Sequence, residues 1–193
     1  MLLELANRIR DTGSEGPGRR YALWVQGCTI RCAGCCNPEM FERGRGERVH
    51  VDEVYADVVS TPGLEGVTFL GGEPMEQAEA LATLARRVRQ SGLSVMTFTG
   101  FVLEDIRREG DAARLALLTE TDLLADGPFD ATQRGSNRPW LGSKNQRLHF
   151  LSPRYRGDEP SFAPVNTVEL RLTRGELEMS GWAPTILKAT RGR

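Results

Sequence analysis

Four times along this 193-residue chain an apolar, β-favouring run ends in a short glycine-containing motif. YALWVQ (21–26) runs into Gly27-Cys28, and VTFL (67–70) into Gly71-Gly72-Glu73-Pro74. LSVMTF (93–98) runs into Thr99-Gly100, and TDLLA (121–125) into Asp126-Gly127-Pro128-Phe129. Between the runs lie helical patterns. Val51, Val54, Tyr55 and Val58 keep the i, i+3, i+4, i+7 spacing of an amphipathic helix. Leu81, Leu84, Ala85 and Val88 mark a second helix, and residues 102–119 hold one or two more, broken at Gly110. Strands alternating with helices predict an α/β fold around a parallel sheet with right-handed crossovers. Ligands of parallel sheets sit at the carboxyl ends of the strands, so four motifs at four such ends point to one shared site.

The chain is read as one domain spanning 1–193. Residues 1–20 are an N-terminal extension closing in the Gly16-Pro17-Gly18 turn, and 152–193 a hairpin-like C-terminal extension that turns at Arg174-Gly175. QRLHFL (146–151) reads as a fifth strand of the sheet, reached through the long aperiodic loop 127–145, and loops of that length are often functional. An eight-fold β/α barrel takes about 250 residues, so a chain of this length closes only part of one.

All four cysteines lie between positions 28 and 36. Cys28, Cys32 and Cys35 have the spacing C-x3-C-x2-C, and clustered thiolates suit soft metals and iron–sulfur clusters. Three cysteines in one loop bind three irons of a four-iron cluster and leave one open for a cosubstrate. A structural zinc site would ask for four ligands, usually in two separated pairs; Cys36 serves poorly as the fourth, and neither His50 nor His149 has a pairing partner. A disulfide module belongs to oxidising compartments and small cores. An electron-transfer ferredoxin would bring a fourth cysteine from farther along the chain.

The stretch GPGRRYALWVQGCTIRCAGCCNPEMF (16–41) resembles the opening of the radical S-adenosylmethionine (SAM) activating enzymes. In these a GPG-x-R turn leads through a strand into G-C-x3-C-x2-C and then an Asn-Pro pair, here Asn37-Pro38. Gly71-Gly72-Glu73-Pro74 resembles the family's GGEP. Thr99-Gly100, DGPF at 126–129 and GSKNQR at 142–147 resemble, more narrowly, the anaerobic ribonucleotide reductase activating proteins. The resemblance runs from about residue 16 to 151. It implies a partial, incomplete parallel β/α barrel of radical SAM type.

The resemblance also implies a 4Fe-4S cluster on Cys28, Cys32 and Cys35, with SAM bound to the open iron through its amino and carboxylate groups. An electron from an external donor such as flavodoxin or ferredoxin would cleave SAM to methionine and a 5′-deoxyadenosyl radical. The implied partner is a glycyl radical enzyme, an anaerobic ribonucleotide reductase, which loses a glycine hydrogen. GGEP suits the amino end of SAM: Gly71 and Gly72 allow close backbone approach, and Glu73, or carbonyls at the strand end, would accept from an ammonium. Thr97 and Thr99 share a strand face and offer hydroxyls to the methionine carboxylate or the ribose; they read equally as two β-favouring residues. Asp126 reads either as a site carboxylate, for a cation or for SAM, or as a turn former before glycine. The backbone of Gly34 to Cys36 is expected against SAM. Cys36 departs from the family, where an aromatic residue is frequent, and reads as filling beside the ligands.

Two other readings stand beside this one. A stand-alone radical SAM enzyme acting on a small molecule or peptide fits a GC-rich, aerobic source, which the basic residues suggest: of 25, only Lys144 and Lys188 are lysine. A non-catalytic iron–sulfur or zinc module would leave GGEP and DGPF without a purpose. A net charge of −1 gives no sign of nucleic acid as partner. No apolar run reaches the roughly 20 residues of a membrane span. The N-terminus lacks the pattern of a secretory signal, and the expected compartment is the cytoplasm.

Overall fold

The computed structural model describes residues 1–135, 138–163, 167–173 and 176–181. In chain order its strands are β1 (Leu2–Thr12), β2 (Arg20–Val25), β3 (Glu47–His50), β4 (Gly66–Gly71), β5 (Ser94–Phe98), β6 (Leu123–Asp126), β7 (Arg147–Phe150), β8 (Val168–Thr173) and β9 (Glu176–Gly181). Its helices are α1 (Val51–Ser60), α2 (Ala78–Gln90), α3 (Leu103–Glu109) and α4 (Ala112–Thr119). Seven strands form one sheet in the order β3-β1-β2-β4-β5-β6-β7. β2, β4, β5 and β6 run parallel, each joined to the next through a helical segment, as the alternation of strand and helix patterns predicts.

The two flanks of the sheet run the other way. β1, drawn from the segment read as an extension, pairs antiparallel with both β2 and β3. The fifth strand of the sequence reading is also a correction. β7 is antiparallel to β6, with Asp126 opposite Arg147 and Leu124 opposite His149. A parallel return needs a crossover of a dozen or more residues, usually helical. Among the described residues of the 127–146 connection the one helical element is a 3-10 turn at Ala131–Gln133, and the chain comes back alongside the strand it left.

Alternation along the parallel strands gives the sheet two unlike faces. Tyr21, Leu23, Val25, Val67, Phe69, Val95 and Leu124 pack with Val54 and Val58 of α1, Leu81, Leu84 and Val88 of α2, and Leu117 of α4 in the main core. The opposite face carries Ala22, Trp24 and Leu70 beside Met40, and Met96, Leu123 and Ala125 beside Leu141. Gly110 (φ 70°) ends α3, and Asp111 caps α4 by accepting from the Arg114 amide. This stop and start makes two short helices of 103–119.

Arg20, wholly buried on the opposite face, donates to Thr68 Oγ1 at 3.0 Å and Ser94 Oγ at 2.6 Å, and also to the Val67 carbonyl. The Gly16-Pro17-Gly18 turn folds onto the same face, where a Cβ on Gly16 would lie 3.0 Å from Met96 Sδ. β8 and β9 form a separate antiparallel pair; the turn expected at Arg174-Gly175 lies outside the described residues. Polar contacts tie this pair to the chain beyond β1. Glu169 accepts from Thr12 Oγ1 at 2.6 Å and from the Gly13 amide at 2.8 Å, and Gly181 N–H donates to Glu15 at 2.7 Å.

Candidate active site

The cysteine loop is closed at its neck by backbone bonds. Gly27 N–H donates to the Met40 carbonyl (2.9 Å) and Cys28 N–H to the Phe41 carbonyl (3.0 Å). Gln26 Nε2 reaches the Glu42 carbonyl at 2.6 Å. Glu76, just past GGEP, accepts from the Thr29 amide at 2.7 Å and pairs with Arg43 at 2.8 Å. The loop reverses through left-handed residues, Arg31 (φ 50°) and Gly34 (φ 75°). Cys35 N–H closes a turn onto the Cys32 carbonyl.

Cys28, Cys32 and Cys35 are half-buried free thiols, and Cys36 is exposed and also free. Burial pushes the thiols of Cys28 and Cys32 up, against backbone amides that face their sulfurs: Arg31 and Ile30 at Cys28, Phe129 at Cys32. Cys35 is held down at about 6, chiefly because the Cys36 thiol donates to it, with the Asn37 amide 3.4 Å from its Sγ. The same interaction with Cys35 pushes Cys36 up.

This donor set fits a four-iron cluster. Each thiolate of a cubane binds a different iron, so the ligands ring the group. They need not converge on one point, as no three His, Cys, Asp or Glu side chains do among the described residues. Amides facing the sulfurs are the outer contacts that stabilise thiolate ligands.

GGEP closes the floor beside the loop. Gly72 N–H donates to the Val25 carbonyl at 2.7 Å and Glu73 N–H to the Gly27 carbonyl at 2.8 Å. A Cβ on Gly72 would lie 2.3 Å from the Gly27 oxygen, and Gly71 sits at φ 104° against Trp24. Both positions therefore require glycine. Glu73 is buried and fully engaged. Its Oε1 accepts from the Met75 amide and from Thr99 Oγ1, and its Oε2 from the Gly100 amide, all at 2.8 Å. Burial pushes its carboxyl up to about 7. Gly100 in turn abuts the cysteine loop, because a Cβ there would meet Ile30 Cδ1 at 2.6 Å. The ends of β2, β4 and β5 are thus fastened together around one buried carboxylate.

Other positions singled out in the sequence fall differently. Thr99 joins this clasp. Thr97 bonds Thr121 Oγ1 at 3.0 Å, and Thr121 donates on to the Leu117 carbonyl. Thr97 therefore faces the helical layer rather than the cysteine loop. Asp126 is wholly buried and takes Arg147 on both oxygens, Nε at 3.1 Å and Nη2 at 2.5 Å. The Leu103 amide donates to it at 2.8 Å, and His149 Nε2 lies 3.1 Å away outside hydrogen-bonding geometry. Burial raises its carboxyl, but the donors Arg147 and Leu103, with the His149 ring nearby, outweigh that and hold it below the usual range. Asp126 is thus a structural clamp between β6, β7 and α3. Glu76 and Ile30 are site neighbours that the sequence reading did not single out; Glu76 lies two residues past GGEP, but nothing local reveals its reach to Thr29.

The model of the 4Fe-4S single cluster domain family matches residues 14–149. The anaerobic ribonucleoside-triphosphate reductase-activating protein of Vibrio cholerae serotype O1 is 33% identical over 143 residues, covering 70% of this chain and 90% of that protein. The protein of the same name from enterobacteria phage T4 is 30% identical over 140 residues (69% and 85%), and that of Escherichia coli K12 is 28% identical over 145 residues (71% and 92%). Among solved structures, QueE from Escherichia coli matches at 18% identity with a TM-score of 0.43, covering 52% of this chain and 53% of that one. With a family model matched from Ser14 to His149 and a third of its aligned residues shared with the Vibrio protein, this chain belongs to the 4Fe-4S single cluster family and to that of the anaerobic ribonucleoside-triphosphate reductase-activating proteins.

Proposed function

We propose that this chain cleaves SAM reductively at a 4Fe-4S cluster held by Cys28, Cys32 and Cys35, and that the radical formed takes a hydrogen atom from a glycine of an anaerobic ribonucleotide reductase. The observation that carries this reading is the loop itself. Three free thiols in one loop, with the Asn37 amide 3.4 Å from the sulfur of Cys35, stand beside a floor built from GGEP and Thr99-Gly100. When bound, the cluster would supply the electron that breaks the C5′–S bond of SAM, giving methionine and a 5′-deoxyadenosyl radical. That electron comes from an external donor of the flavodoxin or ferredoxin kind. The protein supplies orientation and exclusion of side reactions.

In this reading Gly71 and Gly72 let the peptide floor approach the methionine end of SAM, and strand-end carbonyls accept from its ammonium. Glu73 acts through that floor, since its oxygens are taken by Met75, Thr99 and Gly100. The backbone of Gly34 to Cys36 and the Thr99-Gly100 turn line the remaining wall. Cys36 donates to a ligand and is not one. In this reading the mostly parallel sheet would serve as a partial barrel of the radical SAM type, with a side left for a protein substrate.

Anaerobic reconstitution tests this. The expected result is about four irons per chain, a dithionite-reducible cluster and 5′-deoxyadenosine formed from SAM. Cys28→Ala, Cys32→Ala and Cys35→Ala should abolish cleavage, and Cys36→Ala should keep the iron. Tightly held zinc with no cleavage would overturn the reading. Loss of iron in Cys36→Ala would overturn the ligand assignment.

A further inference from the structure

The paired motifs DGPF and GSKNQR acquire a joint role in the structure. Backbone pairing between β6 and β7 ends at Asp126 opposite Arg147. Beyond it, side chains continue the ladder in the same register. Arg147 holds the Asp126 carboxylate, and Gln146 Nε2 donates to the Gly127 carbonyl at 3.1 Å. Asn145 Nδ2 donates to the Pro128 carbonyl at 2.7 Å, and Ser143 Oγ accepts from the Asp130 amide at 3.1 Å. The other end of the Gln146 amide accepts from the Gly142 and Ser143 amides at 2.8 and 3.1 Å, which fixes the side chain.

The segment so held leans on the cysteine loop. Arg134 Nη2 lies 3.4 Å from the Gly34 carbonyl, and a Cβ on Gly34 would meet Arg134 Nη2, Ala131 Cβ and Phe129 Cε1 within 4 Å. The backbone amide of Phe129 faces the sulfur of Cys32. The short turn at Ala131–Gln133 follows, and backbone bonds from Lys144 N–H to the Gln133 carbonyl (3.0 Å) and from Gly135 N–H to the Gly142 carbonyl (3.1 Å) hold its far side; between Gly127 and Asp130 side chains do the work that strand pairing does elsewhere.

We propose that Asn145 and Gln146 are positioning residues that hold the 127–134 segment against the cysteine loop, so that Arg134 brings positive charge beside the loop between the cluster ligands Cys32 and Cys35 and raises the cluster's reduction potential. The physical basis is general: hydrogen bonds to ligand sulfur and nearby positive charge stabilise the reduced, more negative state of an iron–sulfur centre. This inference rests on the cluster reading above.

The test uses the full chain reconstituted under anaerobic conditions, with Asn145→Ala and Gln146→Met, which remove the donors without adding charge. The expected result is wild-type iron content, a midpoint potential shifted to more negative values and an altered EPR signal of the reduced cluster. With a weak reductant, SAM cleavage should slow by about tenfold for each 59 mV of that shift, while excess dithionite restores it. Asn145→Ala loses one partly exposed contact and serves as the milder variant should Gln146→Met fold poorly. Variants that keep their iron with the potential and EPR signal of the wild type would overturn the proposal. Loss of iron from Asn145→Ala would also overturn it, by making the segment a prop for the loop alone. A wild-type chain that binds no iron would instead fail the cluster reading, and this inference with it.

Discussion

Glu15, in the link between β1 and β2, offers a measurement of what burying a carboxylate costs this fold. Its side chain is buried, accepts one backbone bond from Gly181, and has the Glu169 carboxylate nearby. Burial, opposed by the Gly181 amide, pushes its carboxyl up from 4.5 to about 7. A group raised in this way favours the folded state fully below its unfolded value. That advantage is lost as the pH climbs from 4.5 through 7, and above 7 the charge is carried at full cost. At about 1.4 kcal/mol for each pH unit between the two values, the cost reaches about 3 kcal/mol.

Glu15→Gln keeps the acceptor for Gly181 and removes the charge. Urea unfolding of variant and wild type, followed by far-UV circular dichroism from pH 4.5 to 8, should show little difference at the acid end. The variant should gain by about 3 kcal/mol at and above pH 7. Glu73, raised for the same reason, is present in both chains and cancels in the comparison. A gap that stays constant with pH would refute the reasoning, because a packing effect alone has no reason to follow protonation.

Further outcomes follow from the same structure. Gly72→Ala should destabilise the fold by about 1–3 kcal/mol, read as a lowered Tm, since its Cβ would strike the backbone oxygen of Gly27 at 2.3 Å. Arg147→Ala should cost about 2 kcal/mol or more, because it strips the bidentate partner from a wholly buried Asp126; Leu103 and His149 keep it from costing the full value of an orphaned charge. The wild-type clamp should also weaken as the pH falls below 3.8 and Asp126 takes up its proton, a step in acid unfolding that shrinks in Arg147→Ala. Arg20→Met should lower Tm through the lost partners of Thr68, Ser94 and the Val67 carbonyl, while leaving the iron content of the reconstituted chain unchanged.

Much of this architecture is legible in residue order, and the gaps have physical causes. Tyr21 to Val25 and Val67 to Leu70 are apolar on both faces because both faces are covered, which is the mark of a central parallel strand. The direction of β7 is hidden because nothing in QRLHFL encodes which way it pairs; that follows from the missing helix in the connection before it. The parity of Thr97 and Thr99 is readable, but alternation does not say which face carries the helices, so Thr97 was expected near the ligand and lies under α4 instead. Asp126 shows a similar limit: a carboxylate at a strand end looks the same in sequence whether it meets a ligand or Arg147. The cysteine spacing and GGEP are legible because their chemistry is local, whereas the Glu73 clasp assembles Met75, Thr99 and Gly100 from two separate strand ends.

The bonds at the neck of the cysteine loop bear on how such a chain acquires its metal. Gly27 with Met40 and Cys28 with Phe41 close the loop through the backbone alone, and Thr29 to Glu76 steadies its first turn. Small zinc modules gain their folding energy from the ion and are unstructured without it. Here the neck is held by backbone bonds that involve no cysteine sulfur, while Arg31, Ala33, Gly34 and Cys36 are exposed along the rim. The shape of the cysteine loop thus draws on the protein's own hydrogen bonds as well as on its sulfurs.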